Sequence, residues 1–165
     1  GSGRALCYIR PMQTDQLCVV TWRNRPRSFV SLMTLYESNF IRFGWLARDL
    51  KRLPDHAVSR VGGDCDLHLQ VTERSRYTTS MLLTYWFEEA GQPVAEPNLE
   101  LRIYHDARLL EACGGSDCRR HRDLAQFRAS CGPELDQRWM RNHMLNKWLE
   151  YCADRGHRFF LTASS

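Results

Sequence analysis

Lysine is almost missing from this chain. Only Lys51 and Lys147 occur, so 21 of the 23 basic residues are arginine. Several reaction classes also lack their usual sequence devices: there is no phosphate-cradling glycine loop, no nucleophile elbow and no HExxH pair. The seven cysteines are scattered, odd in number and form no CxxC, which argues against a secreted disulfide framework. They suit a reducing cytosol better, where cysteine packs as a small buried hydrophobe. No apolar run approaches the roughly 18 residues of a membrane-crossing helix, so no membrane partner is expected. Internal repeats and low-complexity tracts are absent too.

What is present describes an ordinary folded domain. With 165 residues, 43% hydrophobic and 25% charged, the chain is long enough to bury one proper core. Its net charge of +4 is mild, and acidic residues interleave with the arginines. The arginine excess therefore reads as the habit of a GC-rich genome before it reads as a nucleic-acid footprint. One denser run, Arg119-Arg120-His121-Arg122, stays open as a small anion patch. Gly1-Ser2-Gly3 reads as a cloning scar. Residues 4–27 form a basic arm, or an edge strand around Leu17–Trp22, and residues 28–165 form the single domain.

Hydrophobic period sets the elements. Phe29, Met33, Tyr36, Phe40, Phe43, Ala47 and Leu50 recur at spacings of four and three, which predicts a helix from Ser28 to Leu53 stopped by Pro54. Glu37 and Asn39 lie off that stripe, flanking the seam or facing solvent. Gly44, costly inside a helix, hints at a close packing neighbour. Leu67, Leu69 and Val71 alternate with polar residues as a strand with one buried face. Thr78–Phe87 is apolar on both phases and reads as a central strand covered on both sides. Gly91-Gln92-Pro93 and Pro97 make a loop. Leu99, Leu101 and Ile103 begin a further strand, with His105 on the same phase. A two-residue turn at Asp106-Ala107 then returns the chain through Leu109–Cys113, setting Arg102 opposite Glu111 and Tyr104 opposite Leu109. A last helix follows Pro133 through Ala153, with Trp148, Leu149 and Cys152 inward and Gly156 as its cap. Phe159-Phe160-Leu161 is a closing strand or a tail. The sum is α+β: an antiparallel meander of four strands, or five with an added edge, flanked by an N-terminal and a C-terminal helix.

Two polar clusters interrupt this pattern, Glu73-Arg74-Ser75-Arg76-Tyr77-Thr78-Thr79 and Arg102-Ile103-Tyr104-His105-Asp106-Ala107. Core-building strands have little reason to end in acid, base, imidazole and phenol together. With Tyr36-Glu37-Ser38-Asn39-Phe40 and the stretch from Asn142 to Cys152, these pieces resemble the YqiB-like domain-of-unknown-function family of proteobacteria. The resemblance covers residues 28 to about 157. It implies a small soluble cytosolic protein with no activity assigned.

Three site chemistries are compatible with these residues. An enzyme acting on a phosphate-containing metabolite would use His105, Glu73 and Asp106 with arginines nearby, provided that His105, Glu73 and Arg76 converge. The bland alternative makes Arg102 and Glu111 a cross-strand ion pair, Asp106 a turn residue, His105 a core histidine and Glu73–Arg76 a hairpin pair. A zinc site would need Cys113, Cys118, His121 and Cys131, whose spacing is only a loose match. A binding module would use Arg76, Tyr77, Arg102, Tyr104 and Asn39 toward an anionic planar ligand, or Trp22 or Trp139 as anchors for a protein partner. The expectation is a cytoplasmic, cofactor-free protein that acts by binding, as an adaptor or regulator. Its partner would be an unidentified protein or a small anionic ligand, ahead of nucleic acid.

Overall fold

The computed structural model describes residues 29–116 and 134–161. The basic arm, the Arg119–Arg122 run, Trp22, Cys118, His121 and Cys131 lie outside the described residues. Helix α1 runs Phe29–Leu46, ending at Leu46 rather than at Leu53. Asp49 accepts from the Lys51 backbone N–H at 3.1 Å and starts a separate 3-10 turn, Leu50–Arg52. A short acidic side chain has here offered the backbone an alternative to the helix. The apolar stripe outlives the helix, since Leu50 and Leu53 are still buried.

Five antiparallel strands follow in chain order: β1 His56–Ser59, β2 Asp66–Arg74, β3 Thr78–Glu89, β4 Gln92–Tyr104 and β5 Leu109–Ser116. The predicted strands are β2 to β5. The fifth among the described residues is β1, which pairs His56 with Gln70 and Ser59 with Leu67. Four residues are too few to show an alternation. Arg102 does stand opposite Glu111, and Tyr104 opposite Leu109.

The predicted loop over residues 91–97 is instead the start of β4. Ala90 and Gly91, both at positive φ (51° and 76°), make the two-residue turn. Pro97 is tolerated because the β3–β4 register shifts there: Thr84 pairs with Asn98 and Trp86 with Ala95, so no ladder bond is required of it.

One face of the sheet, with Leu69, Met81, Leu83, Leu99 and Ile103, packs against Phe43 and Leu46 of α1 and against helix α2, Glu134–Arg155, through Leu145, Trp148 and Leu149. Among the described residues no element covers the other face, although β3 was expected to be covered on both sides. Leu82 is half-buried and Trp86 is 40% exposed. Gly156 (φ 95°) caps α2, its N–H bonding Ala153 O and that of His157 bonding Cys152 O. The tail then docks without forming a strand: Phe159 is buried and donates its N–H to Leu46 O at 2.7 Å.

A buried polar seam joins the helices to β5. Asn39, Asn142 and Asn146 are all fully buried. Asn142 Oδ1 accepts from Ala112 N–H at 2.7 Å, and its Nδ2 donates to Ala112 O and Arg138 O. Asn39 Nδ2 donates to Asn142 Oδ1 and Leu110 O, and Asn146 Nδ2 donates to Asn39 Oδ1 and Ser38 Oγ. Arg42, also buried, extends the chain of bonds through Ser38 Oγ at 2.6 Å. Asn142→Ala would strand both polar groups of Ala112 in the interior. The expected loss is roughly 3 kcal/mol, read by urea denaturation; a change within a few tenths would remove the seam from the stability argument.

Gly44 has no close neighbour, contrary to expectation: a Cβ there would meet nothing within 4 Å. Gly44→Ala should therefore raise stability by about 1 kcal/mol in the same measurement, and a loss would mean that the helix needs the glycine.

Candidate functional site

Both hairpin turns at one end of the sheet carry the polar clusters, and the meander sets them side by side. The β4–β5 connection is a four-residue turn, His105–Arg108, wider than the two residues predicted, because the last pair is Tyr104 with Leu109. Because the turn starts at His105, His105 and Asp106 border the same space instead of opposite sheet faces. His105 N–H donates to Tyr77 O at 2.9 Å, and its Nε2 lies 2.9 Å from Thr79 Oγ1. His105 is thus half-buried at a rim, with a threonine as its partner, rather than a core histidine satisfied by backbone.

Between this turn and α1 lies a groove of about 830 Å³. Helix α1 supplies Phe40, Ile41, Gly44 and Trp45; residues 48–51 supply Arg48, Asp49 and Lys51; the turn supplies His105, Asp106 and Arg108. Arg108 adopts a left-handed backbone (φ 55°), a strained choice for a side chain of this kind, and its guanidinium stands 5.4 Å over the Phe40 ring. Arg48, Lys51 and Arg108 form no ion pair among the described residues. Of the three carboxylates among the described residues at the groove, Asp49 caps Lys51 N–H and Glu37 is already partnered, which leaves Asp106.

The other candidates are placed as follows. Glu73 pairs across to Ser80 and is exposed, and neither a hydrogen bond nor an ion pair joins it to Arg76 or His105. The hairpin cation that is fixed is Arg74, which donates to Leu53 O at 2.6 Å and Asp55 Oδ1 at 2.9 Å. Arg76 stands 5.2 Å over the ring of Tyr77, both exposed at the hairpin tip. The convergence required of an enzyme is therefore missing. Arg102 and Tyr104 lie on the open face of the sheet, away from the groove. Their cross-strand neighbour Glu111 does not close an ion pair with Arg102: its Oε1 accepts from Tyr104 Oη at 2.7 Å, while Arg102 Nε reaches Ser80 Oγ at 3.5 Å. Asn39 sits in the buried seam and cannot reach a ligand, and Trp139 is buried at 7% exposure, so it is no anchor. Of the zinc candidates only Cys113 is described. It is exposed, not buried, and partial shielding of its sulfur together with Glu111 pushes the thiol up to about 11.

One constellation was not anticipated. His157 Nδ1 lies 3.0 Å from Ser59 Oγ and its Nε2 lies 3.0 Å from Asp64 Oδ2. This is a serine–histidine–aspartate relay, yet His157 is fully buried and Ser59 is 6% exposed, with the serine oxygen also accepting from Arg158 N–H. A substrate carbonyl has no access to it, so the relay is a clamp that fastens the tail to β1. His157 lies 98 residues from Ser59 and 93 from Asp64, and none of the three is in a motif, so they give no sequence signal.

A family described as a protein of unknown function (DUF1249) matches residues 42–158, and the chain belongs to that family. It is 28% identical over 137 residues to the uncharacterized protein YqiB of Escherichia coli strain K12, an alignment that spans 78% of this chain and 90% of that protein. The YqiB proteins of the O6:H1 and O157:H7 strains give the same figures. No solved structure matches the chain.

Burial, and then Lys51, holds His105 below the ordinary imidazole value. The unfolded chain therefore takes up this proton at a higher pH than the folded one, and acidification through the ordinary histidine range costs stability. The melting temperature should fall between about pH 7.5 and about pH 5.5, and should fall less in His105→Gln; equal slopes would show that the groove imidazole is not the titrating group.

Proposed function

We propose that this protein acts by binding, and that its ligand is a small anionic molecule carrying a planar ring, of nucleotide-like chemistry, seated in the groove between α1 and the β4–β5 turn. The observation that carries this reading is the set of three cations, Arg48, Lys51 and Arg108, without carboxylate partners among the described residues, around a groove that also presents Phe40 and Trp45. Unpaired guanidinium and ammonium groups supply charge-assisted bonds to phosphate, and aromatic rings supply a face for stacking. Asp106 offers acceptors to ligand hydroxyls. Gly44, glycine without a packing reason, lets a ligand approach the helix backbone closely. A volume of about 830 Å³ suits one small molecule rather than a polymer.

The test is calorimetric titration and thermal shift with adenosine and guanosine monophosphates, with the matching nucleosides as controls. A monophosphate at a hundredfold its dissociation constant should add about 2.7 kcal/mol to stability. Lys51→Ala and Arg108→Ala should each weaken binding about tenfold. Nucleosides that bind as well as their monophosphates would sink the anion reading, and turnover of the ligand lost in His105→Gln would replace binding with catalysis.

A further inference from the structure

We propose that a second cleft, on the β5 side of the domain, binds a phosphate-bearing small molecule. The cleft measures about 400 Å³, and no residue that lines it also lines the groove at α1. Arg102 reaches it from β4, and Arg138 and Arg141 from the opening turns of α2. Among the described lining residues the one carboxylate is Glu111, whose Oε1 already accepts from Tyr104 Oη.

The arginines come with their own positioning. Arg141 donates from one terminal nitrogen to Cys113 O at 2.9 Å, which anchors the side chain while leaving it further N–H groups. Arg102 Nε reaches Ser80 Oγ at 3.5 Å, and further N–H groups remain for a ligand. Helix α2 starts at Glu134, so Gln137 and Arg138 lie near its positive end, where the peptide dipoles favour an anion. Planar guanidinium forks arriving from two elements match the oxygens of a phosphate in a way that scattered surface arginines do not. The size of the cleft selects a small molecule over a nucleic-acid strand.

The experiment titrates inorganic phosphate and pyrophosphate into the full chain, with citrate at matched ionic strength as the non-phosphate anion. Binding is read by calorimetry and by peptide-resolved maleimide labelling of Cys113, an exposed thiol on the wall of the cleft. Saturable protection of Cys113 by pyrophosphate is expected, about tenfold weaker in Arg102→Gln and in Arg138→Gln. Labelling of Cys113 should slow with bound anion while that of Cys65 does not. Both arginines are exposed, so these variants should melt near the parent temperature. The proposal is overturned by absence of saturable binding at millimolar anion, by citrate binding as well as pyrophosphate, or by loss of binding in Lys51→Ala in place of the arginine variants. The last outcome would assign the anion to the groove, so a failure of this site and a failure of the groove reading are told apart.

Discussion

Strand β5 ends the sheet, and an end strand carries a row of N–H and C=O groups that no further strand among the described residues satisfies. Side chains close that row. Asn142 answers both polar groups of Ala112, Asn39 answers Leu110 O, and Arg141 answers Cys113 O. Asn142 thus behaves as a strand residue delivered from a helix. The same asparagines bond to one another, and through Asn146 and Ser38 to α1. The two helices and the sheet edge are therefore in register only together. Such a seam costs more than an apolar one if any member is lost, and it specifies a single arrangement of the three elements because Asn39 and Asn142 bond through both ends of their amides in one geometry.

That constraint places the site. With α1 pinned against β5, the end of the helix and the 3-10 turn behind it face the β4–β5 turn across a fixed gap, and the groove is that gap. Its walls are mixed in character for the same reason. Phe40 and Trp45 belong to the helix face turned away from the seam, whereas His105, Asp106 and Arg108 belong to a turn that has to be polar because it stands at the sheet's end. The left-handed Arg108 and the unneeded Gly44 are both local costs in places where the fold has no use for them. Both costs fall at the groove proposed as the ligand site.

Much of the domain's far end serves fastening instead. The Ser59–His157–Asp64 relay, with Tyr85 Oη on Asp64 at 3.3 Å and on Cys152 Sγ at 3.1 Å, closes the tail over β1. Burial, with Cys152 and Asp64 beside it, holds the Tyr85 phenol far above its ordinary value, so it stays neutral and serves as a hydrogen-bonding strut. A catalytic reading of three such residues needs an open face toward a substrate, and here the same groups are sealed in.

The sequence by itself determined what depends on neighbours in the chain. Period fixed α1 and the inner faces of β2, β4 and α2; turn chemistry fixed Gly156 as a cap; and alternation across the β4–β5 hairpin fixed the opposition of Arg102 and Glu111. The two polar clusters were also legible as places where core logic lapses. Only the tertiary structure decided the rest, because it turns on residues far apart in sequence. Asn39 read as flanking the seam or facing solvent, and as a ligand candidate, until Asn142 and Asn146 came against it. Trp139 read as an anchor until α1 covered it, and Glu73 and Arg76 read as partners, whereas neither a hydrogen bond nor an ion pair joins them. A groove between a helix and a turn has no period and no motif. It exists only once long-range packing has set both walls at a distance.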